Sequence, residues 1–273
     1  MPELPEVQTI ADELTEVIKG LDIVSLNVSF PRILSGGTVG DFGDFLIGQK
    51  VHRVTRRAKF LVFELDEGYL LSHLRMTGQF SQRSYPEACK HTHLVLGMSD
   101  GSFFHYKDTR KFGRFYRCDD LKKHFADYGP EPFDPSLEKK FFSMLNSRKR
   151  QLKPLLLDQS FLSGLGNIYV DEALHDSKLH PESLSSSVSR VKSKELLASI
   201  RKVLEIGLRN LGTSLGTGAA NYYSVSGRSG RNQDALQVFR RTGESCNRCS
   251  SIILRIMVGQ RSTHFCPKCQ RKK

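Results

Sequence analysis

The sequence lacks a long apolar segment, an export signal and an internal repeat. Among its 273 residues there is no run of eighteen apolar residues, so we expect no transmembrane helix and no membrane partner. The first residues are acidic and have no apolar core of the kind found in export signals, so secretion is not expected. These absences favour a cytoplasmic protein, and a reducing compartment disfavours disulfides between its six cysteines.

Basic residues clearly outnumber acidic residues. The 41 lysines and arginines, against 29 aspartates and glutamates, give a formal net charge of +12 and a pI near 9.5. This balance predicts a polyanionic partner, most simply nucleic acid. RNA-binding proteins share such a charge, so composition alone does not select DNA. The apolar fraction of 38% is enough for real cores, and the length suits two modest domains, or one and a half with a small module.

The first half of the chain combines one helix with many short strands. Val7, Ile10, Leu14 and Val17 recur at helical spacing, and Gly20 suits the position just after a helix end. The pattern then changes to short β-rich runs separated by turn residues, at 23–30, 51–54, 60–65, 69–80, 93–98 and 102–116. We predict that residues 2–128 form a β-sandwich domain with a terminal helix packed on it.

The second half is helical and ends in a cysteine-bearing segment. Residues 128–135 contain three prolines in eight positions, from which we predict a linker over 129–135. We then predict a helical domain over 136–234, with a mobile Gly- and Ser-rich loop over 212–231, and a small module over 235–273. The fold class is therefore α+β and multidomain.

Four of the six cysteines have the spacing of a metal site. The pattern Cys-x2-Cys-x16-Cys-x2-Cys predicts one tetrahedral zinc ion held by Cys246, Cys249, Cys266 and Cys269. A closed shell of four thiolates leaves no open coordination position, so the zinc is expected to be structural. Between the two pairs, Ile252–Val258 is strand-like and 259–263 has the composition of a turn, which predicts a β-hairpin whose tip presents Arg261.

The first six residues, Met-Pro-Glu-Leu-Pro-Glu, allow a specific chemistry. If Met1 is removed, Pro2 becomes an N-terminal secondary amine beside the carboxyl groups of Glu3 and Glu6. Such an amine can attack an aldehyde-like sugar carbon and form a cationic iminium, with a neighbouring carboxyl group as acid, base or cation stabiliser. While Met1 remains, the Pro2 nitrogen is an amide and has no such reactivity. The alternative is that the prolines only shape the entry to a helix, whose first turn favours glutamates.

A glycine-rich turn precedes one of the predicted helices. Ser163-Gly-Leu-Gly-Asn167 leads into 168–172, and a turn ahead of a helix N-terminus exposes backbone N–H groups to an anion. Asn167 adds a side-chain donor, so the stretch suits a phosphate. The alternative is a helix cap with flexible glycines.

Two further turns combine cations with large apolar residues. Lys59 interrupts a strand-like pattern, and His73 lies just ahead of Met76 and the turn Thr77-Gly78. Arg110 and Phe112 lie in a second turn, Asp108-Thr-Arg-Lys-Phe-Gly113. Apolar side chains on exposed turns can unstack and kink a duplex, and an arginine can pair with base edges that an extruded nucleotide leaves open. Taken singly, such apolar residues more often belong to a core.

Taken together, these motifs resemble formamidopyrimidine-DNA glycosylases along nearly the whole chain. The resemblance is carried by Pro2–Glu6, Arg57-Ala-Lys59, His73–Met76, Asp108–Gly113, Lys153-Pro154, Gly164–Tyr169 with Glu172, and Gly259–Cys269. It implies an N-terminal β-sandwich, a helical helix–two-turns–helix DNA-binding domain and a C-terminal zinc-finger hairpin. It also implies a cytoplasmic, nucleoid-associated bacterial enzyme that acts as a monomer.

The resemblance further implies a bifunctional base-excision repair enzyme. Its substrate would be double-stranded DNA containing oxidised purines, chiefly 8-oxoguanine and formamidopyrimidines, or abasic sites. Pro2 would attack C1′ of the sugar and form a Schiff base, with help from Glu3 and Glu6, and β- and δ-elimination would cut the strand. Lys59 would belong to this catalytic group.

The remaining implied roles concern DNA contacts. Phosphate contacts around the damaged nucleotide are implied for Lys59, His73, Lys153, Asn167 and Arg261. Met76 would fill the vacated stack, while Arg110 and Phe112 would address the opposite strand. The lesion pocket would include Glu172 and Tyr222.

One stretch departs from the family pattern, and three rival interpretations stay open. The loop that usually reads Gly-Thr/Ser-x-Leu/Ile-Arg-Asp/Thr-Tyr/Phe is here longer over 212–223 and has small residues in place of its arginine. In the family this loop folds over the extruded base. The change fits either a looser closure of the loop or a different lesion preference. The rivals are the related endonuclease VIII type, a non-catalytic binder of damaged DNA, and an RNA-binding zinc protein. Leu4 and the turn at Arg110 favour the purine enzyme over the first.

Overall fold

The computed structural model describes residues 1–87, 89–215 and 222–272. By its internal contacts the chain divides into two compact units, the first comprising residues 1–126 and 208–233 and the second residues 127–207 and 234–273. The segment 208–233 was predicted to belong to the helical domain but groups with the first unit. The division into a sandwich domain, a linker, a helical domain and a small terminal module stays a prediction. No helix within the described ranges is long and apolar enough to cross a membrane.

The first unit begins with the predicted helix. Helix α1 (Leu4–Ile18) buries Val7, Ile10 and Leu14 completely, and each such burial contributes about 1.5–3 kcal/mol relative to exposure. Gly20 follows the helix with φ +85°, as the sequence predicts. The remaining elements are β1 (Ile23–Val28), β2 (Leu34–Ser35), α2 (Val39–Leu46), β3 (Arg53–Arg57), β4 (Phe60–Glu64), β5 (Tyr69–His73), β6 (Gly78–Arg83), β7 (Thr92–Met98), β8 (Phe103–Asp108), β9 (Arg114–Cys118) and α3 (Leu121–His124).

These strands form two sheets around one apolar core. The four-stranded sheet has the order β1-β7-β8-β6, and the five-stranded sheet has the order β2-β9-β5-β4-β3. Their inner faces meet through aromatic side chains, with ring centroids 4.8 Å apart for Tyr106 and Phe115 and 5.9 Å apart for Phe63 and Phe80. This arrangement confirms the predicted β-sandwich with a terminal helix.

Two of the predicted β-rich runs each contain two strands. The runs 69–80 and 102–116 are interrupted by turns at 74–77 and 109–113. Arg75 and Lys111 adopt positive φ values of 53° and 57° in these turns, a conformation that a strand does not accommodate. Both turns therefore project from the sandwich, and they carry three of the residues predicted to contact DNA: Met76, Arg110 and Phe112.

The second unit contains the predicted helices and the cysteine-bearing hairpin. Its elements are α4 (Leu137–Asn146), α5 (Leu152–Leu157), α6 (Asn167–Asp176), α7 (Arg190–Arg209), β10 (Leu254–Val258) and β11 (Arg261–Phe265), the last two forming an antiparallel hairpin. Within the predicted linker, the carbonyl oxygens of Pro132 and Asp134 accept hydrogen bonds from Arg201 of α7 at 2.9 and 3.1 Å. The linker is thus held against the helix rather than extended in solvent.

Candidate functional site

The start of helix α1 brings two buried carboxylates together. Glu3 and Glu6 are 3% and 2% exposed, and Pro2 is buried beside them. The Glu3 N–H donates to Glu6 Oε2 at 2.8 Å, while Glu6 Oε1 accepts from the Thr213 N–H at 2.7 Å. Glu6 is therefore held by the backbone from both sides, which orients the residues at the helix entry.

The terminal amino group of Met1 lies in the electrostatic field of this cluster. Burial lowers its pKa below the usual value of 8.0. The carboxylates of Glu3 and Glu6 act in the opposite direction, and the cations of Lys59 and Arg110 lower the pKa further. Because the lowering prevails, an amine at this place in the fold is easier to deprotonate than an ordinary terminus.

Lys59 is held near this cluster by a tight turn between β3 and β4. Ala58 precedes it with φ 54°, and Lys59 itself is only 5% exposed. The guanidinium of Arg56 fixes the turn, since Nη1 donates to the Ala58 carbonyl at 2.8 Å and Nε donates to Gln8 Oε1 at 3.1 Å. The lysine therefore has a defined position with respect to helix α1.

His73, at the end of β5, is buried and neutral at ordinary pH. Its ring packs edge-on against Phe60, with centroids 4.7 Å apart, and its Nδ1 accepts the Arg75 N–H at 3.0 Å. Burial, followed by the charges of Arg75 and Lys59, lowers the pKa of His73 to about 3. Because Nδ1 is an acceptor here, the proton of the neutral ring lies on Nε2, which leaves a hydrogen-bond donor rather than a cation.

The two projecting turns carry exposed apolar side chains. Met76 is 41% exposed and Phe112 is 48% exposed, in contrast to the buried apolar residues around them. The guanidinium of Arg110 lies over the Phe112 ring, 4.7 Å from its centroid. An exposed stacked pair of this kind offers a flat face and hydrogen-bond donors on one turn.

The segment around Tyr222 is attached to helix α1 at two places. Gly212 leaves no room for a side chain, because a Cβ there would lie 2.7 Å from Glu6 and 3.1 Å from Tyr222. Farther along, Glu13 accepts from the Ser226 N–H at 3.0 Å and pairs with Arg228 at 2.7 Å. Burial, then the Glu6 carboxylate, raises the pKa of Tyr222. The central part of the atypical loop, 216–221, lies outside the described residues.

In the second unit, one buried carboxylate joins helices α5 and α6 to the hairpin. Asp171 is 1% exposed and forms an ion pair with the fully buried Nζ of Lys153. Its other oxygen accepts from the His264 N–H at 2.9 Å and contacts His264 Nδ1 at 3.1 Å. The predicted phosphate contact of Lys153 stays a prediction; in this structure its ammonium is enclosed and neutralised by Asp171.

Asn167, the first residue of α6, contacts the hairpin rather than capping its own helix. Gly166 occupies the cap position, and Asn167 Nδ2 donates to the Ser262 carbonyl at 2.9 Å. Arg261 immediately precedes that carbonyl and is exposed at the hairpin turn. The contact therefore fixes the backbone next to Arg261, while its predicted contact with phosphate stays a prediction.

Glu172 has a structural environment that the sequence did not indicate. Its carboxylate is buried and accepts three backbone N–H groups, from Gln237 at 2.8 Å, Val238 at 2.9 Å and Phe239 at 2.8 Å. Burial raises its pKa against the lowering effect of these bonds. The predicted lesion-pocket role of Glu172 stays a prediction, and these contacts favour a role in attaching the segment before the hairpin to α6.

The four cysteines of the predicted zinc site converge. Their sulfur atoms all lie within 4.8 Å of one another, and Cys249 Sγ is 3.4 Å from Cys266 Sγ. Zinc–sulfur bonds of about 2.3 Å in a tetrahedron place sulfurs about 3.8 Å apart, so the thiolates fit one zinc ion. His175 Nε2 lies 3.5 Å from Cys246 Sγ, a suitable distance for orienting that ligand. The donor set is closed, and the zinc is structural.

The structure also shows roles for three carboxylates to which the sequence assigned none. Asp171, Glu13 and Asp108 are buried or half-buried carboxylates that organise the neighbourhood of predicted residues. Asp108 bonds to Thr77, Asp171 to His264 and Glu13 to Arg228, over separations of 31, 93 and 215 residues. No local spacing in the sequence reveals contacts between residues so far apart. Of the three, only Asp171 directly follows a run of apolar residues, Ile168–Val170, and that is the one local hint in the sequence that such a carboxylate is buried.

Three family models match consecutive parts of the chain. The Formamidopyrimidine-DNA glycosylase N-terminal domain matches residues 1–115, and the Formamidopyrimidine-DNA glycosylase H2TH domain matches residues 128–218. The zinc finger found in FPG and IleRS matches residues 243–271. The matches follow the order in which the sandwich, helices and hairpin occur.

Similar proteins and structures cover the chain from end to end. A formamidopyrimidine-DNA glycosylase of Protochlamydia amoebophila is 42% identical, with all of both chains covered, and one of Heliobacterium modesticaldum is 42% identical over 99% of this chain and all of the relative. A Lactococcus lactis FPG variant, crystallised with a Fapy-dG-containing DNA, is 37% identical, with a TM-score of 0.92 over 99% of this chain and all of that one. A MutM structure with DNA containing carbocyclic 8-oxo-G is 36% identical, with a TM-score of 0.90 and the same coverage.

Proposed function

Because the chain belongs to the formamidopyrimidine-DNA glycosylase family and is a DNA glycosylase of base-excision repair, we propose that it excises oxidised purines and then cuts the strand. The proposed substrates are 8-oxoguanine and formamidopyrimidines in duplex DNA, together with abasic sites. The relatives and structural neighbours are glycosylases and their complexes with damaged or abasic DNA. The observation that carries the proposal is the buried cluster of Pro2, Glu3 and Glu6.

The proposed reaction begins after removal of Met1, when Pro2 carries the terminal amine. The lone pair of its nitrogen forms a bond to C1′ of the sugar as the bond from C1′ to the base nitrogen breaks. The bonding pair leaves with the base, which is protonated from solvent, while the Pro2 nitrogen passes its own proton to the Glu3 carboxylate. The same surroundings lower the pKa of the Met1 amino group, and this supports the step because only an unprotonated amine has the lone pair.

Ring opening then produces the covalent intermediate. The bond from C1′ to the ring oxygen breaks, the oxygen takes a proton from Glu3, and the nitrogen and C1′ become an iminium cation. Loss of a proton from C2′ expels the 3′ phosphate, and loss of a proton from C4′ expels the 5′ phosphate. Glu6, held by the Glu3 and Thr213 N–H groups, keeps the helix entry in place during these steps.

DNA binding is proposed to combine phosphate contacts with a wedge. The proposed hydrogen-bond donors to phosphate oxygens are Lys59, the neutral His73 and Arg261. Asn167, which is bonded to the hairpin backbone at Ser262, is proposed to contribute to the same contacts. Met76, Arg110 and Phe112 are the exposed groups that enter the duplex when the damaged nucleotide turns out of the stack. The enclosed side chains of Lys153 and Glu172 are proposed to support the elements that make these phosphate contacts. Tyr222, beside Glu6, is proposed to border the lesion.

The proposed cellular setting follows from the same assignment. We propose a monomer that acts on chromosomal DNA in a bacterial cytoplasm, with residues 2–128, 136–234 and 235–273 as its domains and 129–135 as the linker. The relatives described above are bacterial enzymes. One structural zinc is the cofactor, and its four ligands fit it in this chain.

Strand cleavage of a panel of duplexes tests the function. The panel contains 8-oxoguanine, formamidopyrimidine or an oxidised pyrimidine opposite each of the four bases, with undamaged duplex as the control. We expect efficient cleavage of the two purine lesions opposite cytosine, and weak cleavage when 8-oxoguanine lies opposite adenine. A preference for oxidised pyrimidines would replace the proposal by the endonuclease VIII type, and tight binding of abasic duplex without any cut would leave a non-catalytic binder.

A further inference from the structure

The two projecting turns of the first unit share one buried carboxylate. Asp108, the last residue of β8, is 0% exposed. Its Oδ1 accepts the Thr77 hydroxyl from one turn and the Arg110 N–H, at 3.1 Å, from the other. Its Oδ2 accepts the Gly113 N–H at 2.8 Å. A single side chain therefore connects the turn that carries Met76 to the turn that carries Arg110 and Phe112.

Thr77 completes this connection. Its hydroxyl oxygen accepts the Arg110 N–H at 3.2 Å while its proton goes to Asp108, so the hydroxyl bridges the two turns in both directions. The Thr77 side chain is buried, in contrast to the exposed Met76 beside it. The methionine is thus attached directly to the residue that fixes the arginine backbone.

The surroundings of the connection leave little freedom for either turn. A Cβ at Gly78 would lie 2.4 Å from the Tyr106 hydroxyl, and one at Gly113 would lie 1.7 Å from it. The backbone of each turn therefore packs directly on the same ring. The Asp108 carbonyl is held as well, since it lies 2.9 Å from His93 Nε2.

Each turn contains a residue in a costly backbone conformation. Arg75 and Lys111 have positive φ although neither is glycine, and such a conformation persists only when the surroundings hold it. Arg75 directly precedes Met76, and Lys111 lies between Arg110 and Phe112. Each strained residue is therefore next to an exposed side chain that is proposed to enter DNA. The hydrogen bonds of Asp108 and Thr77 supply the constraint that an isolated turn would lack.

We propose that Asp108 and Thr77 are positioning residues that preassemble Met76, Arg110 and Phe112 into one rigid wedge. The inference rests on the proposed function, because it assumes that the wedge enters duplex DNA. Asp108 and Thr77 act through the turns and do not contact DNA themselves. Loss of the connection should therefore impair substrates that need a nucleotide turned out of a duplex more than substrates that are already unpaired.

The test compares Thr77→Val, which removes the hydroxyl but keeps the shape, with Thr77→Ser, which keeps the hydroxyl. Excision from an 8-oxoguanine–cytosine duplex is measured in single turnover, alongside cleavage of a single-stranded abasic oligonucleotide. We expect Thr77→Val to reduce duplex excision by about tenfold or more relative to single-strand cleavage, because a charge-assisted hydrogen bond is lost. Thr77→Ser should stay within about threefold of the unsubstituted protein.

A control variant separates positioning from loss of stability. Thr15→Val makes the same chemical change in the same unit, where the Thr15 hydroxyl donates to the Val54 carbonyl at 2.7 Å, away from both turns. It should leave the ratio of duplex to single-strand rates unchanged. As a direct readout, 2-aminopurine beside an abasic analogue should brighten on binding, and brighten less with Thr77→Val.

The outcomes are separable. An unsubstituted protein that cleaves neither substrate would overturn the proposed function, and the inference with it. With an active protein, the inference is overturned if Thr77→Val keeps the normal rate ratio, if Thr77→Ser is equally impaired, or if both substrates are lost in parallel. Asp108→Asn, which retains a single carbonyl acceptor, should show the same selective loss as Thr77→Val.

Discussion

Replacement of Glu3 by glutamine is expected to lower the rate of base excision by about 10²–10⁴-fold, the usual contribution of a positioned acid or base. Glutamine preserves the shape of this 3% exposed side chain but cannot transfer a proton. The Glu3 charge raises the pKa of the Met1 amino group, so we expect its removal to leave more of a Pro2 amine unprotonated. A loss of rate must then come from proton transfer or cation stabilisation. Single-turnover excision on 8-oxoguanine duplex measures it.

The matched control is Glu16→Gln on the same helix, where the side chain is exposed. It should leave the excision rate within about twofold of normal, as surface substitutions usually do. Binding of duplex containing an abasic analogue should be retained by Glu3→Gln. Excision at a normal rate by Glu3→Gln would remove this residue from the chemistry.

Removal of zinc is expected to abolish tight DNA binding. Structural zinc contributes about 10–16 kcal/mol of apparent binding free energy to small domains, far more than the hairpin core around Ile253 and Val238 supplies. Without the metal the hairpin loses its fold, and Arg261 and the Ser262 carbonyl bonded to Asn167 lose their positions. Cys266→Ser, or treatment with a strong chelator, should therefore weaken binding of abasic-analogue duplex by roughly a hundredfold or more.

Two variants calibrate this loss. Arg261→Ala removes one proposed phosphate contact and should make the salt dependence of binding shallower by about 0.9 in log–log slope, with a smaller loss of affinity than Cys266→Ser. Cys89→Ser alters an exposed cysteine outside the metal site and should bind normally. A zinc-free protein that keeps its affinity and its folded hairpin would contradict the structural role of the metal.

Features with short sequence spacing were predictable. The periodicity from Val7 to Val17 locates helix α1, and the spacing of the four cysteines locates the metal site, because each pattern joins residues within one element or hairpin. Helix α2 was not predicted, since Gly40 and Gly43 obscure its periodicity. It forms because Thr38 caps it and because Phe42 and Leu46 are fully buried.

Features that join distant residues could not be read from the sequence. The bond from Thr77 to Asp108 spans 31 residues, and that from Asp171 to His264 spans 93. Glu172 illustrates the limit most clearly. Its position in a family motif suggested the lesion pocket, while its three backbone donors come from a segment 65–67 residues farther along the chain. A motif shows which residues are important, but it does not show what each of them contacts in the fold.

The central claim is that the nitrogen of Pro2 forms the bond to C1′. Protein lacking Met1 is incubated with 8-oxoguanine duplex and borohydride, which reduces an iminium to a stable amine, and the cross-linked peptide is identified by mass spectrometry. The account predicts a DNA adduct on the N-terminal peptide at Pro2, and none when Met1 is retained. An adduct on the Lys59 peptide, or full activity with Met1 still attached, would contradict it.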